Sequence, residues 1–291
     1  MSRTLFLTLI ALLFLLGCGA PPMEEEPMEP AMVAVDDQPA GEYVRFADAS
    51  GSAAWGRIEG GQIVVLHAAP WAGGAPTGDR VARDGASLLA PADPGKVIAI
   101  GLNYASHLGG REPAPYPGVF AKLPGSIVGP GDAIEMTEDA GNVHYEGELV
   151  LVVGKEARDV PMEQAQDYIF GVTAGNDVSE RDWQGADLQW FRAKASDTYG
   201  PIGPVISRGV DYDDLELTTR LNGEVVQQQR TSDLIFDTSY IVSYLSRYVA
   251  LMPGDVIFTG TPGTTQAMNE GDLVSVEVET VGVLENPVAR R

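Results

Sequence analysis

The chain has 291 residues, 44% of them hydrophobic, which allows one large domain or a large domain with a smaller one. Nineteen Lys and Arg stand against 41 Asp and Glu, a formal net charge of −22, so nucleic acid and anionic membrane surfaces are poor partners. The single cysteine, Cys18, excludes an internal disulfide and a CxxC zinc site.

Residues 1–17 read as a signal peptide: Arg3 supplies the positive charge, and Leu5 to Leu16 form an apolar run too short to span a bilayer. Leu15-Leu16-Gly17-Cys18 resembles the lipobox of bacterial lipoproteins, which implies lipidation of Cys18 and a place in the cell envelope, anchored to a membrane and facing the periplasm or exterior. An ordinary signal peptide and a misassigned start codon are the competing readings. Residues 18–41 are rich in Pro and Glu and read as an acidic tether.

Residues 42–93 are expected to form a small β-rich N-terminal domain. "EYVRFAD", "AAWGRIE" and "QIVVLH" are strand-like runs between glycine turns, followed by a loop-rich stretch over 67–93. A larger unit, residues 94–291, opens with "KVIAIGLNY". Its run Leu149 to Val153 reads as a buried strand, "TTRLNGEVV" as a hairpin turning at Asn222-Gly223, and "MPGDVIFTG" and "EGDLVSVEVE" as turns leading into strands. "SYIVSYLSRYVA" is the clearest helix, with Ile241, Tyr244, Leu245 and Tyr248 at core spacing. The class is therefore β-rich α+β.

Common catalytic kits are absent: there is no GxSxG, GxGxxG, GxxxxGK[ST] or HExxH, and the three histidines, His67, His107 and His144, are scattered. "DYDDLELTTRLN" has Glu216 where a calcium loop requires glycine, and reads as a solvated turn. What remains is carboxylates. Glu146 and Glu148 lie two apart at a strand entrance, so they face the same way and repel unless a cation or open water receives them. With Asp177, at the end of the apolar run in "GVTAGNDVSERDWQ", they offer three oxygen ligands and leave half an octahedron open, which suits Mg²⁺ or Mn²⁺. A solvent-exposed strand entrance is the alternative.

The ordered motifs "GLNYASH", "VFAK", "HYEGELVLVVGK", "GVTAGNDVSERDWQ", "FRAKASDTYGPIGP", "LNGEVVQQQRTSDLIF" and "PGDVIFTGTPG" resemble the fumarylacetoacetate hydrolase family over residues 96 to 288. The resemblance implies a mixed β-roll around a metal site, a small N-terminal domain and a homodimer. It assigns Glu146, Glu148 and Asp177 as metal ligands. Arg181, Gln184 and Thr261 become substrate-cavity residues, Lys194 the cavity lysine with a catalytic part, and His107 the histidine that activates water in the hydrolases. Tyr104 and Lys122 lie in matching motifs, with roles the resemblance leaves less defined. The implied reaction acts on a small anionic 2-oxo acid or dienoate through a metal-stabilised enolate, by C–C hydrolysis, decarboxylation or isomerisation. His144 reads as structural, and Trp183 and Trp190 as packing groups. A membrane-anchored lipoprotein that binds oxo acids or metal without turnover is the competing class.

One motif departs from the family. Its hydrolase lid reads roughly NYxxHxxE, whereas "NYASHLGGREP" has Gly110 in place of the acid and the nearest carboxylate two residues later, at Glu112. Two glycines disfavour a lid helix, and a five-residue spacing puts Glu112 off the face of His107. His107 is thus expected to lack an orienting carboxylate, with acylpyruvate hydrolysis weak and decarboxylation or tautomerisation retained; a non-helical lid that brings Glu112 round to the histidine is the alternative.

Overall fold

A computed structural model describes residues 32–291. Cys18 and the proposed signal peptide lie outside the described residues, as does most of the proposed tether. The folded chain begins before Glu42. Gln38 is buried and donates to the carbonyls of Pro70 and Gly74, while Arg208 donates to the carbonyls of Val35 and Gln38. Among the described residues no helix is long and apolar enough to cross a membrane.

Ten strands form the continuous path of a twelve-stranded mixed sheet. Its N-terminal half runs Pro76–Ala82, Gln62–Leu66, Ala53–Glu59 and Gly41–Ala47, and joins the rest where Gly41–Ala47 pairs antiparallel with Gly200–Arg208. The path continues through Ile169–Asn176, the central strand Gly147–Val153, Val256–Phe258 and Val97–Gly101, and ends at the edge strand Gly118–Lys122. A second sheet of five strands carries the hairpin Glu216–Leu221 and Glu224–Arg230, whose turn residues Asn222 and Gly223 both have positive φ, as that turn requires. The architecture is the expected β-rich, mixed β-roll.

The central strand is buried at every position because it is covered on both faces. Leu149, Leu151 and Val153 pack into one cluster with Leu217, Ile241 and Leu245; Val150 and Val152 point the other way, into a cluster with Phe170, Val256 and Phe258. This explains the unbroken apolar run.

The loop-rich stretch 67–93 also holds the strand Pro76–Ala82, nearly all of whose side chains are exposed, so no apolar alternation marks it in the sequence. One local expectation is corrected. The helix Thr238–Ser246 buries Ile241 and Leu245, but it ends before Tyr248, which is 71% exposed and continues an aromatic ladder from Tyr240 and Tyr244.

Gly175 sits on one of the two strands that feed the carboxylate cluster, in a tightly packed place. It pairs with Glu148, and a Cβ there would meet Val150 Cγ2 at 2.4 Å and the Phe258 ring at 2.7 Å. Gly175→Val is expected to cost about 1–3 kcal/mol through overpacking. Urea denaturation should show a lower midpoint with an unchanged slope; an unaltered midpoint would contradict this packing account.

Candidate active site

The sheet register assembles the acidic cluster. Gly147 pairs with Asn176, so the residue before the central strand, Glu146, meets the residue after the neighbouring strand, Asp177, and the Asp177 N–H donates to the Glu146 carbonyl at 2.8 Å. One ligand oxygen from each of Glu146, Glu148 and Asp177 lies within 4.8 Å of the others, and all three residues are buried. The backbone between the glutamates has no room for a side chain: a Cβ on Gly147 would stand 2.0 Å from Thr219 Oγ1.

Three cations answer this buried charge. Lys194, on the short helix Phe191–Ala195, donates from Nζ to Glu146 Oε2 and to Asp177 Oδ2, both at 2.6 Å. Arg181, opening the helix Arg181–Ala186, donates to Glu146 Oε1 at 2.5 Å, to Thr265 Oγ1 at 2.8 Å and to Gln184 Oε1 at 2.8 Å. Lys122, from the edge strand, donates to Asp177 Oδ1 at 2.6 Å and also to the Lys194 carbonyl. Arg181 therefore pairs with Glu146 rather than with its neighbour Asp182, and Lys194 is buried rather than solvated.

Glu148 differs from its neighbours. Its Oε2 accepts the Gly260 N–H at 2.7 Å, and no ion pair forms at it among the described residues. Burial, then the charges of Asp177 and Glu146, push its carboxyl well above the usual carboxylate range. Burial also opposes ionisation of Glu146, but Lys194 and Arg181 outweigh it and hold that carboxyl well below the range. Lys194 likewise stays charged against burial because Asp177 and Glu146 face it, whereas burial dominates at Lys122 and lowers its pKa. Three convergent carboxylates, one of them without a cationic partner, form an oxygen donor set that fits a hard divalent cation.

The cluster lies at the base of a cavity of about 520 Å³ lined in part by His107, Arg181, Gln184, Lys194, Thr261 and Trp190. Asp177 and Lys122 sit beneath it, outside the lining. Tyr104 is also off the cavity wall: it is fully buried, and its hydroxyl has no hydrogen-bond partner among the described residues. Thr261 is buried and accepts from Gln227 Nε2 at 2.8 Å. His144 is braced by Thr265 and Asn142 and depressed to about 4 by burial and by Arg181, which fits the structural part expected of it. Trp190 packs edge-on against Phe120, as expected of a packing group, yet it also walls the cavity. Trp190 and Leu102, both lining residues, hold left-handed backbone with φ of 55° and 59°, strain of a kind that collects at functional sites.

His107 ends a single 3₁₀ turn, Ala105–His107, and Gly109 and Gly110 follow with φ of 60° and 82°, so no lid helix forms. Glu112 is exposed and does not line the cavity. The ring is nevertheless held: Nδ1 lies 2.5 Å from the Gly263 carbonyl, and Nε2 lies 3.6 Å from Glu146 Oε1. A carbonyl only accepts, so Nδ1 carries a proton and Nε2 is left to face the carboxylate. Sequence reasoning missed this backbone partner, and also Arg111, Gln227, Thr265 and Asn103. Asn103 alone had a usable signal, as a polar residue closing an apolar strand that had to be satisfied if buried.

Comparison with known proteins accords with this geometry. Residues 96–289 match the fumarylacetoacetate (FAA) hydrolase C-terminal domain family, and residues 42–91 match a second family, Rv2993c-like, N-terminal. Protein Rv2993c of Mycobacterium tuberculosis is 47% identical over 210 residues, 70% of this chain and 79% of that one. The oxaloacetate tautomerase fahd2, mitochondrial, of Xenopus laevis is 38% identical over 223 residues, 72% of this chain and 70% of that one. Among solved structures, the 2-hydroxyhepta-2,4-diene-1,7-dioate isomerase of Mycobacterium marinum aligns with a TM-score of 0.81 at 41% identity, covering 86% of this chain and 99% of the other. Maleylpyruvate hydrolase from Sphingobium sp. SYK-6, in complex with manganese(II) and pyruvate, aligns at 0.70 and 26% identity, covering 86% and 99%. The family match spans two thirds of the chain and includes every residue of the acidic cluster and its cations, and the chain belongs to the fumarylacetoacetate hydrolase family.

Proposed function

We propose that the protein is a metal-dependent enzyme that moves a proton next to the carbonyl of a small 2-oxo acid, as a tautomerase or isomerase, rather than a hydrolase of acylpyruvates. The orientation of His107 carries this reading: its Nδ1 is fixed by the Gly263 carbonyl, its Nε2 faces the cavity, and Gly110 stands where a hydrolase lid has its acid. The tautomerase and isomerase named among its relatives support the same choice.

Glu146, Glu148 and Asp177 would hold the cation, Mg²⁺ or Mn²⁺, and the manganese-bearing relative supports that assignment. When bound, the ion supplies Lewis-acid stabilisation of negative charge developing on the substrate's 2-oxygen. The chain's own groups do the rest. Lys194 and Arg181 offset the charge of an anionic substrate, and Thr261 offers its hydroxyl to the carboxylate. His107 Nε2 removes the proton beside the carbonyl and returns it, and Glu146, 3.6 Å away, favours the imidazolium formed in between. The homodimer belongs to this reading too: the edge strand Gly118–Lys122 ends the large sheet, and Val119, Leu123 and Tyr248 are exposed hydrophobics around the groove beside it.

Cation binding competes with protonation of Glu148. Acidification through its raised pKa protonates it, so Mn²⁺ affinity is expected to fall at a pH where an ordinary glutamate is still ionised, with proton release accompanying binding in that range. Calorimetry in buffers of different ionisation enthalpy measures this. Glu148→Ala should remove tight Mn²⁺ binding in a folded protein, and unchanged affinity in that variant would sink the assignment.

The catalytic reading separates the two site residues. His107→Ala should slow enol–keto conversion of oxaloacetate by roughly 10²- to 10⁴-fold while Mn²⁺ affinity holds, whereas Glu148→Ala loses both. Brisk acylpyruvate hydrolysis by the wild type, abolished by Glu112→Ala, would instead establish a shifted histidine–acid pair and a hydrolase.

Location in the cell envelope, through lipid on Cys18, is part of the proposal and rests on the leader sequence alone. Wild type should fractionate with membranes and Cys18→Ser should not; equal retention of both would reject the anchor.

A further inference from the structure

The strand Glu224–Arg230 of the second sheet has a single buried residue, Gln227, while Val225 two positions away is 49% exposed. A buried amide in a strand that turns a valine to solvent needs a reason. The register sets Gln227 opposite Thr219, whose Oγ1 stands against Gly147, so this corner of the second sheet meets the chain between Glu146 and Glu148. Gln227 Oε1 accepts the Gly147 N–H at 3.2 Å. Its Nε2 donates to the Pro262 carbonyl at 2.6 Å and to Thr261 Oγ1 at 2.8 Å.

The two ends of this amide cannot exchange places. The Gly147 N–H only donates and so requires the oxygen; the Pro262 carbonyl only accepts and so requires the nitrogen. Thr261 therefore faces an N–H and accepts from it. Its own hydroxyl hydrogen is left over, with no acceptor among the described residues, and Thr261 lines the cavity. A threonine hydroxyl free to rotate offers a lone pair as readily as a proton, and a lone pair repels a carboxylate. We infer that Gln227 is a positioning residue: it directs the Thr261 hydroxyl hydrogen into the cavity and makes that hydroxyl a fixed donor for the substrate's carboxylate. Gln227 itself is not part of the cavity lining, so it acts on the substrate through Thr261. The same side chain ties the segment that carries Thr261 to the backbone between the two glutamates. Gly260 and Gly263 hold that segment on either side, through Glu148 and His107. The inference rests on the 2-oxo-acid reading above and adds how the carboxylate is received.

The test is a double-mutant cycle on the full chain at saturating Mn²⁺, with pyruvate as the probe and calorimetry as the readout. Thr261→Val removes the hydroxyl and should weaken pyruvate roughly ten- to hundredfold, the worth of a hydrogen bond to a charged group. Gln227→Met removes the amide at similar volume. It should cost roughly fivefold or more while Thr261 is present, and less than about twofold in Thr261→Val, where no hydroxyl is left to direct. Should that variant not fold, Gln227→Glu keeps the acceptor for Gly147 and draws the Thr261 hydrogen towards itself. Its added charge opposes pyruvate in both backgrounds, so a larger loss with Thr261 than in Thr261→Val reports the reversed hydroxyl. In enol–keto conversion of oxaloacetate, Gln227→Met should raise KM with kcat nearly held, as for a contact equal in ground and transition states. Unchanged pyruvate affinity in Gln227→Met, equal losses in both Thr261 backgrounds, or a fall in kcat at constant KM overturns the assignment of Gln227. Absence of pyruvate binding by the wild type defeats the 2-oxo-acid reading itself, and this assignment with it.

Discussion

The Lys194 ammonium, shared between Glu146 and Asp177, is the interaction on which the site depends. Carboxylates this deeply buried stay ionised only when paired and hydrogen-bonded, and removal of one partner from such a group typically costs 3–5 kcal/mol. The pairing also fixes geometry. Lys194 reaches the cluster from the helix Phe191–Ala195, Arg181 from the helix Arg181–Ala186, and Lys122 from the edge strand, where it also supports the Lys194 carbonyl. Charge neutralisation thus ties two helices and a strand to the entrance of the central strand, and makes a site of them. An internal ammonium in that position also competes with incoming ions. A monovalent ion offers no more charge than Lys194 already supplies, so the arrangement favours divalent cations.

The fold class and the acidic cluster were legible in the sequence because their signals are local or periodic. Leu149 to Val153 is an unbroken apolar run since both faces of the sheet are covered there, and Asn222-Gly223 marks a hairpin through its backbone demands. The glutamates stood out because charge at the start of such a strand needs a reason. The ordered motifs of the resemblance supplied which lysine, arginine and aspartate answer that charge, something spacing alone does not contain.

The illegible parts are those where the partner has no side-chain identity, or where exposure removes the pattern. His107 is oriented by the Gly263 carbonyl, and Glu148 accepts the Gly260 N–H. Every residue carries such groups, so no sequence pattern announces them. The strand Pro76–Ala82 buries almost nothing and so shows no alternation. Tyr248 kept helical spacing beyond the last helical residue, where spacing ceases to describe a face. The lid departure was readable, since two adjacent glycines announce a left-handed turn, but its result was not: losing the lid acid did not leave the histidine loose.

Asn103 shows how the His107 loop is restrained. Its Nδ2 donates to the carbonyls of Phe236 and Thr259, and its Oδ1 accepts the Phe236 N–H at 2.8 Å. One side chain therefore stitches the start of the His107 loop to the segment before the helix Thr238–Ser246 and to the end of the strand that leads to Gly260. Opening of the whole loop as a flap would break all three bonds together. The same bonds brace the segment that carries the imidazole beside the carboxylates, whereas residues 109–116, from the two-glycine turn onward, are exposed. One short loop therefore joins a braced inner part to a bare outer one, and Asn103 marks where the bracing begins.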